Sequence, residues 1–128
     1  MSLRSPLSRV LGAGSAKEGT DHWWLQRVTA VALVLLGAWF LLALLSIDSW
    51  TRAELAAWVG RPSHAVMLLL LSVTLARHSA LGVEVVIEDY VHGPGLKVAA
   101  LILNKFAHVF LGVLAILAIL KVALGVTS

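Results

Sequence analysis

The residues best suited to chemistry lie in the otherwise apolar run at residues 77–90. His78 and Gly82 are four residues apart, and Val85 and Asp89 follow the histidine at offsets of seven and eleven. At about 100° per residue, this spacing puts all four on one stripe of a helix. An imidazole there can offer a ring nitrogen to a metal, and the glycine one turn away leaves room for a flat macrocycle. The pattern indicates a haem ligand, but an interhelical hydrogen bond explains a lone histidine in an apolar helix equally well.

Polar residues outside this stripe also interrupt the apolar runs. Arg77 and Glu84 are seven residues apart, on a helical face about 100° from the His78 stripe. Pairing with a neighbouring chain, or with each other through solvent, is favoured over a proton path, because a single glutamate does not make a relay. Lys105 and His108 lie one turn apart in the next apolar run. Lys105 is expected to extend its side chain to the membrane interface.

Composition decides the kind of helix that must position these residues. The chain has 128 residues, of which 59% are hydrophobic and 13% are charged, and its mean hydropathy is +0.91. A soluble domain of this length could not bury so much apolar surface. The excess of 10 Lys and Arg over 7 Asp and Glu forms no basic stripe, so a nucleic-acid partner is not expected. With no cysteine, the chain cannot itself bind an iron–sulfur cluster through thiolates.

The hydrophobic pattern predicts an all-α fold, in which three transmembrane helices form a bundle. The first uncharged run has 20 residues, about the number that crosses 30 Å of hydrocarbon. A polar loop is expected near residues 48–62, and Gly93-Pro94-Gly95 predicts a tight loop near 91–97. His78 then lies within the membrane and Tyr90 at its rim. The spans are predicted at residues 28–47, 63–90 and 98–126 of a transmembrane domain at 28–126.

The distribution of Lys and Arg predicts the orientation of these helices. The polar N-terminal segment, residues 1–27, contains Arg4, Arg9, Lys17 and Arg27. In the loop after the first span, two arginines are offset by Asp48 and Glu54. Because positively charged segments stay on the cytoplasmic side, the N-terminal segment is expected inside and the first loop outside.

Two sequence blocks resemble a known family. His78-x3-Gly82-x6-Asp89-Tyr90, followed by Val91-His92-Gly93, closely resembles the small cytochrome b membrane anchor of succinate dehydrogenase, complex II. Residues 14–30, which include His22-Trp23-Trp24 and Arg27, look like the first-helix entrance of alphaproteobacterial and mitochondrial members. The chain departs from the pattern at Glu84, where several relatives have an uncharged residue.

The resemblance implies roles for matching residues. His78 would be one axial ligand of a b-type haem (haem b), with the second histidine from the partner cytochrome b anchor of the complex. Tyr90 would hydrogen-bond a carbonyl oxygen of ubiquinone, with Asp89 supporting that site or proton delivery. Arg27 would lie near the haem propionates or the quinone, and Gly82 would pack against the haem.

The same resemblance implies a component of succinate:quinone oxidoreductase that is not catalytic alone. In electron transport and the tricarboxylic acid cycle, a flavoprotein subunit and an iron–sulfur subunit would supply the electrons that reduce ubiquinone. The location would be the bacterial inner membrane, with a cytoplasmic N-terminus, or the mitochondrial inner membrane in a eukaryote. The main alternative is a purely structural anchor, in which His78 is only hydrogen-bonded. A second alternative is an ion- or proton-conducting protein using Arg77, Glu84, Asp89 and Lys105.

Overall fold

The computed structural model describes residues 17–126, and side chains from residue 20 onward. In the described part the chain forms four helices: α1 (Lys17–Leu44), α2 (Arg52–Val59), α3 (Pro62–Tyr90) and α4 (Pro94–Ala123). The all-α membrane fold predicted from the sequence is confirmed. The first sixteen residues of the predicted polar N-terminal segment, with Arg4 and Arg9, lie outside the described residues.

Three helices are long and apolar enough to cross a membrane. Their apolar segments are Thr20–Leu44, Pro62–Tyr90 and Pro94–Ala123, with 25, 29 and 30 residues. At about 1.5 Å per residue each exceeds 30 Å of hydrocarbon. Helix α1 starts at Lys17, before the predicted span at residues 28–47. Charged residues indicate where a helix leaves the membrane, but its backbone hydrogen bonds can continue beyond that point. The chain is therefore a multi-pass membrane protein.

Proline sets the start of both later spans. Pro62 and Pro94 occupy the first turns of α3 and α4, where a missing N–H costs no helical hydrogen bond. At the end of α3, the amide of Val91 donates to the Ile87 carbonyl before the chain turns. The connection from α3 to α4 is therefore short, and the two helices lie antiparallel.

Helix α3 is the centre of the arrangement. It packs against α1 on one side and α4 on the other, whereas α1 and α4 do not contact each other within the described residues. Against α4, Ala76 lies 3.5 Å from where a Cβ on Gly112 would be, so small side chains allow close approach. Asn104 is 6% exposed, and its Nδ2 donates to the Ala80 carbonyl at 2.9 Å. The three spans form an open row that leaves most apolar side chains for lipid or partner subunits.

The segment predicted as a polar loop near residues 48–62 instead contains α2. Thr51 caps this helix by accepting a hydrogen bond from the Glu54 amide at 3.3 Å. Trp58 is 5% exposed; its Nε1 donates to the Ala43 carbonyl at 3.2 Å, and His64 Nδ1 donates to the Trp58 carbonyl at 2.9 Å. Trp58 therefore links the end of α1 to the start of α3.

Candidate functional site

The contact between α1 and α3 centres on His78. His78 Nδ1 lies 3.0 Å from Thr29 Oγ1, and Thr29 is 8% exposed. The other ring nitrogen, Nε2, has no hydrogen-bond partner among the described residues, and it is not one of their solvent-inaccessible, unpartnered polar atoms. One nitrogen is thus hydrogen-bonded to α1, while the other is left without a partner in the described part of the chain.

A cavity of about 530 Å³ runs along the α1–α3 groove, one turn from His78. A Cβ added at Gly82 would meet only Gln26 Nε2, at 3.8 Å, so the backbone of α3 borders open space here. His22 Nε2 and Gln26 Oε1 are both sealed from solvent without a hydrogen-bond partner. The cavity lining is His22, Trp23, Gln26, Arg27, Ala30, Gly82 and Val85.

Arg27 brings a positive charge to this cavity. Its guanidinium carbon lies 4.5 Å from the centroid of the Trp23 ring, a cation–π distance. No ion pair engages Arg27 in the described part of the chain. Its planar set of N–H donors suits a carboxylate, so the groove combines an open helical backbone, an unpartnered imidazole nitrogen nearby and a cation.

Asp89 and Tyr90 lie apart from the groove, at the C-terminal end of α3. Tyr90 is 77% exposed, and Asp89 is also exposed. Twelve residues of helix put Tyr90 about 18 Å from His78 along the axis. Nearby, His92 Nδ1 donates to the Tyr90 carbonyl at 3.0 Å and Lys97 Nζ donates to the Glu88 carbonyl at 2.8 Å. These two hydrogen bonds stabilise the turn after α3. Neither involves the Tyr90 hydroxyl, which has no partner among the described residues.

The polar residues on the other side of α3 form a separate group. Arg77, Glu84, Lys105 and His108 line a cavity of about 420 Å³ between α3 and α4. Within the part of the chain that the structure describes, no ion pair joins Arg77, Glu84 or Lys105. His108 Nδ1 donates to the Asn104 carbonyl at 2.9 Å. The structure thus brings Arg77 and Glu84 to one cavity without pairing them directly, and Lys105 is exposed there.

Of the predicted site residues, Gly82 and Arg27 line one cavity between α1 and α3, and His78 contacts α1 one helical turn before Gly82. Asp89 and Tyr90 stand together at the C-terminal end of α3. Reasoning from sequence missed Thr29 and Gln26, because a single hydroxyl or amide among apolar residues carries no periodic signal.

No cluster of three or more His, Asp or Glu side chains able to hold a metal ion is found among residues 20–126, and the sequence has no cysteine. A metal bound here through His78 would therefore need ligands from outside the described residues, such as a macrocycle and a residue of another chain. An unpartnered imidazole nitrogen beside an unobstructed glycine and an arginine without an ion pair fits one side of such a group.

Comparisons with known proteins agree with the resemblance. Residues 1–120 match the family described as succinate dehydrogenase/fumarate reductase transmembrane subunit. The succinate dehydrogenase hydrophobic membrane anchor subunit of Rickettsia bellii (strain RML369-C) is 34% identical over 118 residues, covering 91% of this chain and 94% of that protein. The Paracoccus denitrificans protein of the same name is 31% identical over 121 residues, covering 94% and 93%. The membrane anchor subunit of Reclinomonas americana is 31% identical over 103 residues, covering 70% and 77%. No solved structure matches this chain.

Proposed function

Because this chain belongs to the family of succinate dehydrogenase/fumarate reductase transmembrane subunits, we propose that it binds one side of a b-type haem and forms part of a ubiquinone-reduction site. The relatives named above are membrane anchors of succinate dehydrogenase. The observation that best supports the proposal is the position of His78, which is held by Thr29 at the α1–α3 contact one helical turn from the cavity lined by Gly82 and Arg27.

The haem side of the proposal uses three residues of this chain. His78 would hold the haem iron through Nε2, and a histidine of the partner cytochrome b anchor would supply the second protein ligand. Gly82 leaves the backbone of α3 open to the macrocycle, since nothing lies closer than 3.8 Å to the position that a Cβ would take there. Arg27 offers N–H donors to a propionate carboxylate. A bound haem supplies a site that accepts and returns one electron at a time.

The quinone side of the proposal uses the exposed end of α3. The hydroxyl of Tyr90 has no partner among the described residues, and a phenol O–H is a suitable donor to a quinone carbonyl oxygen. The neighbouring carboxylate of Asp89 is exposed and can support the site or exchange protons with water on that side. The two residues orient and protonate the quinone; they transfer no electrons themselves.

The remaining chemistry belongs to partner subunits. Without a cysteine, this chain holds no thiolate-bound iron–sulfur cluster, so an iron–sulfur subunit and a flavoprotein subunit supply electrons at the Tyr90 end. The exposed apolar faces of α1 and α3 are available to the partner cytochrome b anchor. The N-terminal segment then lies on the cytoplasmic side of a bacterial inner membrane, or on the matrix side in a mitochondrion.

The direct test is the composition and optical spectrum of the complex purified in detergent through this protein. We expect the flavoprotein, the iron–sulfur protein and a second membrane anchor to copurify, with a dithionite-reduced-minus-oxidised spectrum of a b-type haem. A complete complex without that spectrum would leave the purely structural anchor as the correct alternative.

Gly82→Leu tests the open backbone next to His78. A Cβ fits at this position, but the rest of a leucine side chain would enter the 530 Å³ cavity and exclude a macrocycle. We expect the assembled complex to lose more than half of its haem relative to flavin. Gly37→Leu is the matched control, because Gly37 is a glycine of α1 with nothing within 4 Å of an added Cβ. Equal haem content in both variants would show that no macrocycle passes Gly82.

A further inference from the structure

We propose that Thr29 is a positioning residue for His78: it fixes the imidazole in the tautomer that has its proton on Nδ1 and its lone pair on Nε2. The inference rests on the proposed function, since it concerns the nitrogen offered to the haem iron. It assigns to α1 a role in ligation, although α1 contributes no ligand of its own.

The hydroxyl of Thr29 has a single proton to donate. Thr29 Oγ1 lies 2.8 Å from the Leu25 carbonyl oxygen and 3.1 Å from the Gln26 carbonyl oxygen. Each of these carbonyls is an acceptor only, so the hydroxyl proton must point toward them. A proton directed at His78 instead would leave three oxygens facing one another with no hydrogen between them. Thr29 Oγ1 therefore donates within α1 and has only lone pairs to offer across the interface.

The direction of the Thr29 hydroxyl proton determines which ring nitrogen of His78 bears a proton. With a lone pair of Oγ1 only 3.0 Å from Nδ1, that nitrogen must bear the hydrogen and donate it. A neutral imidazole has one N–H, so Nε2 is left with its lone pair free. This is the protonation pattern that an iron ligand requires.

Burial makes this hydrogen bond hard to replace. Thr29 is 8% exposed and lies in a segment predicted to cross hydrocarbon, where water is not available to accept the Nδ1 proton. The bond also limits rotation of the ring about its Cβ–Cγ bond. Thr29 thus restrains both the orientation and the tautomer of His78.

The hydrogen bond has an electronic consequence that a purely structural contact lacks. An acceptor at Nδ1–H makes the imidazole a stronger electron donor at Nε2. A stronger donor favours ferric over ferrous iron, so it lowers the midpoint potential of a bound haem. Removing the acceptor should raise that potential even where the haem remains bound.

The test uses the intact complex with Thr29→Val, which keeps the branched shape and removes the oxygen. We expect an upward shift of the haem midpoint potential in redox titration and altered g values of the ferric haem in electron paramagnetic resonance. Thr29→Ser keeps the hydroxyl and should restore both values. Ser72→Ala is the matched control: Ser72 Oγ also donates to the carbonyl four residues earlier, Leu68, at 2.8 Å, but has no partner across an interface between the described helices.

The outcomes separate this inference from the proposed function. Unchanged potential and g values in Thr29→Val, with a spectrum that disappears in His78→Leu, would overturn the role of Thr29 alone. A spectrum that persists in His78→Leu would show that His78 is not the haem ligand and would overturn the proposed function as well. If Thr29→Val does not assemble, Thr29→Ala is measured in the same way. Failure of both to assemble would make Thr29 a packing residue and overturn the inference.

Discussion

His78→Leu is expected to abolish the b-type haem spectrum of the purified complex while the subunits stay together. Leucine matches the apolar surroundings of α3 but has no ring nitrogen, so the haem iron would lose the ligand that this chain supplies. The change also removes the partner of Thr29, whose hydroxyl keeps its bonds to the Leu25 and Gln26 carbonyls. Because no new unpaired donor is created, helix packing should survive. The measurement is haem content per flavin, with the reduced-minus-oxidised spectrum.

The control for this prediction is a second histidine in the same bundle. His108 also lies within a span, and its Nδ1 donates to the Asn104 carbonyl of its own helix. His108→Leu should therefore keep the spectrum. An unchanged spectrum in His78→Leu, or an equal loss in both variants, would show that His78 is not a specific ligand and would favour the structural-anchor alternative.

The long helices could be predicted from sequence because their signal is local. A run such as residues 28–47 cannot be buried in so small a soluble domain. In lipid, a single segment can pair its backbone N–H and C=O groups within itself only by forming a helix. Periodicity alone also puts His78 and Gly82 on one stripe. Both features depend on positions in a single helix.

Helix α2 was missed for a different reason. Its eight residues give no long apolar run, and polar residues such as Arg52 and Glu54 favour a loop when only hydropathy is considered. What stabilises it is the Thr51 cap together with Trp58, which packs on Trp39 and His64 at centroid distances of 6.3 and 4.5 Å. Those contacts come from three segments of the chain and have no local signature.

The partners of the site residues likewise depend on how helices align. Nothing in the residues around Thr29 indicates that it meets His78, because forty-nine positions separate them and the alignment of α1 with α3 is a packing result. The same applies to Gln26, which faces Gly82. The sequence can therefore predict that the imidazole of His78 belongs to a site, whereas only the packing of the helices shows which residue hydrogen-bonds to it.

Tyr90→Phe is expected to lower quinone reductase activity by roughly 10- to 160-fold, the effect of losing one hydrogen bond of about 1.5–3 kcal/mol to an oxygen that gains charge. Phenylalanine keeps the ring and removes only the hydroxyl. Since Tyr90 is 77% exposed, it contributes little to packing, so assembly should be unaffected. The measurement compares succinate oxidation with ubiquinone and with an artificial acceptor that takes electrons before the quinone site.

The separation of those two activities decides whether Tyr90 binds quinone. Electron delivery to the artificial acceptor uses only the flavoprotein and iron–sulfur subunits, so it should stay near normal in Tyr90→Phe. Trp50→Phe is a suitable control, because it also removes a donor from an exposed aromatic ring, 66% exposed, beyond the opposite end of α3. It should leave both activities intact. If both activities fall equally in Tyr90→Phe, Tyr90 instead helps to dock the soluble subunits. Electrons taken by the artificial acceptor never reach the quinone, so the loss of a hydrogen-bond donor to the quinone cannot slow their transfer.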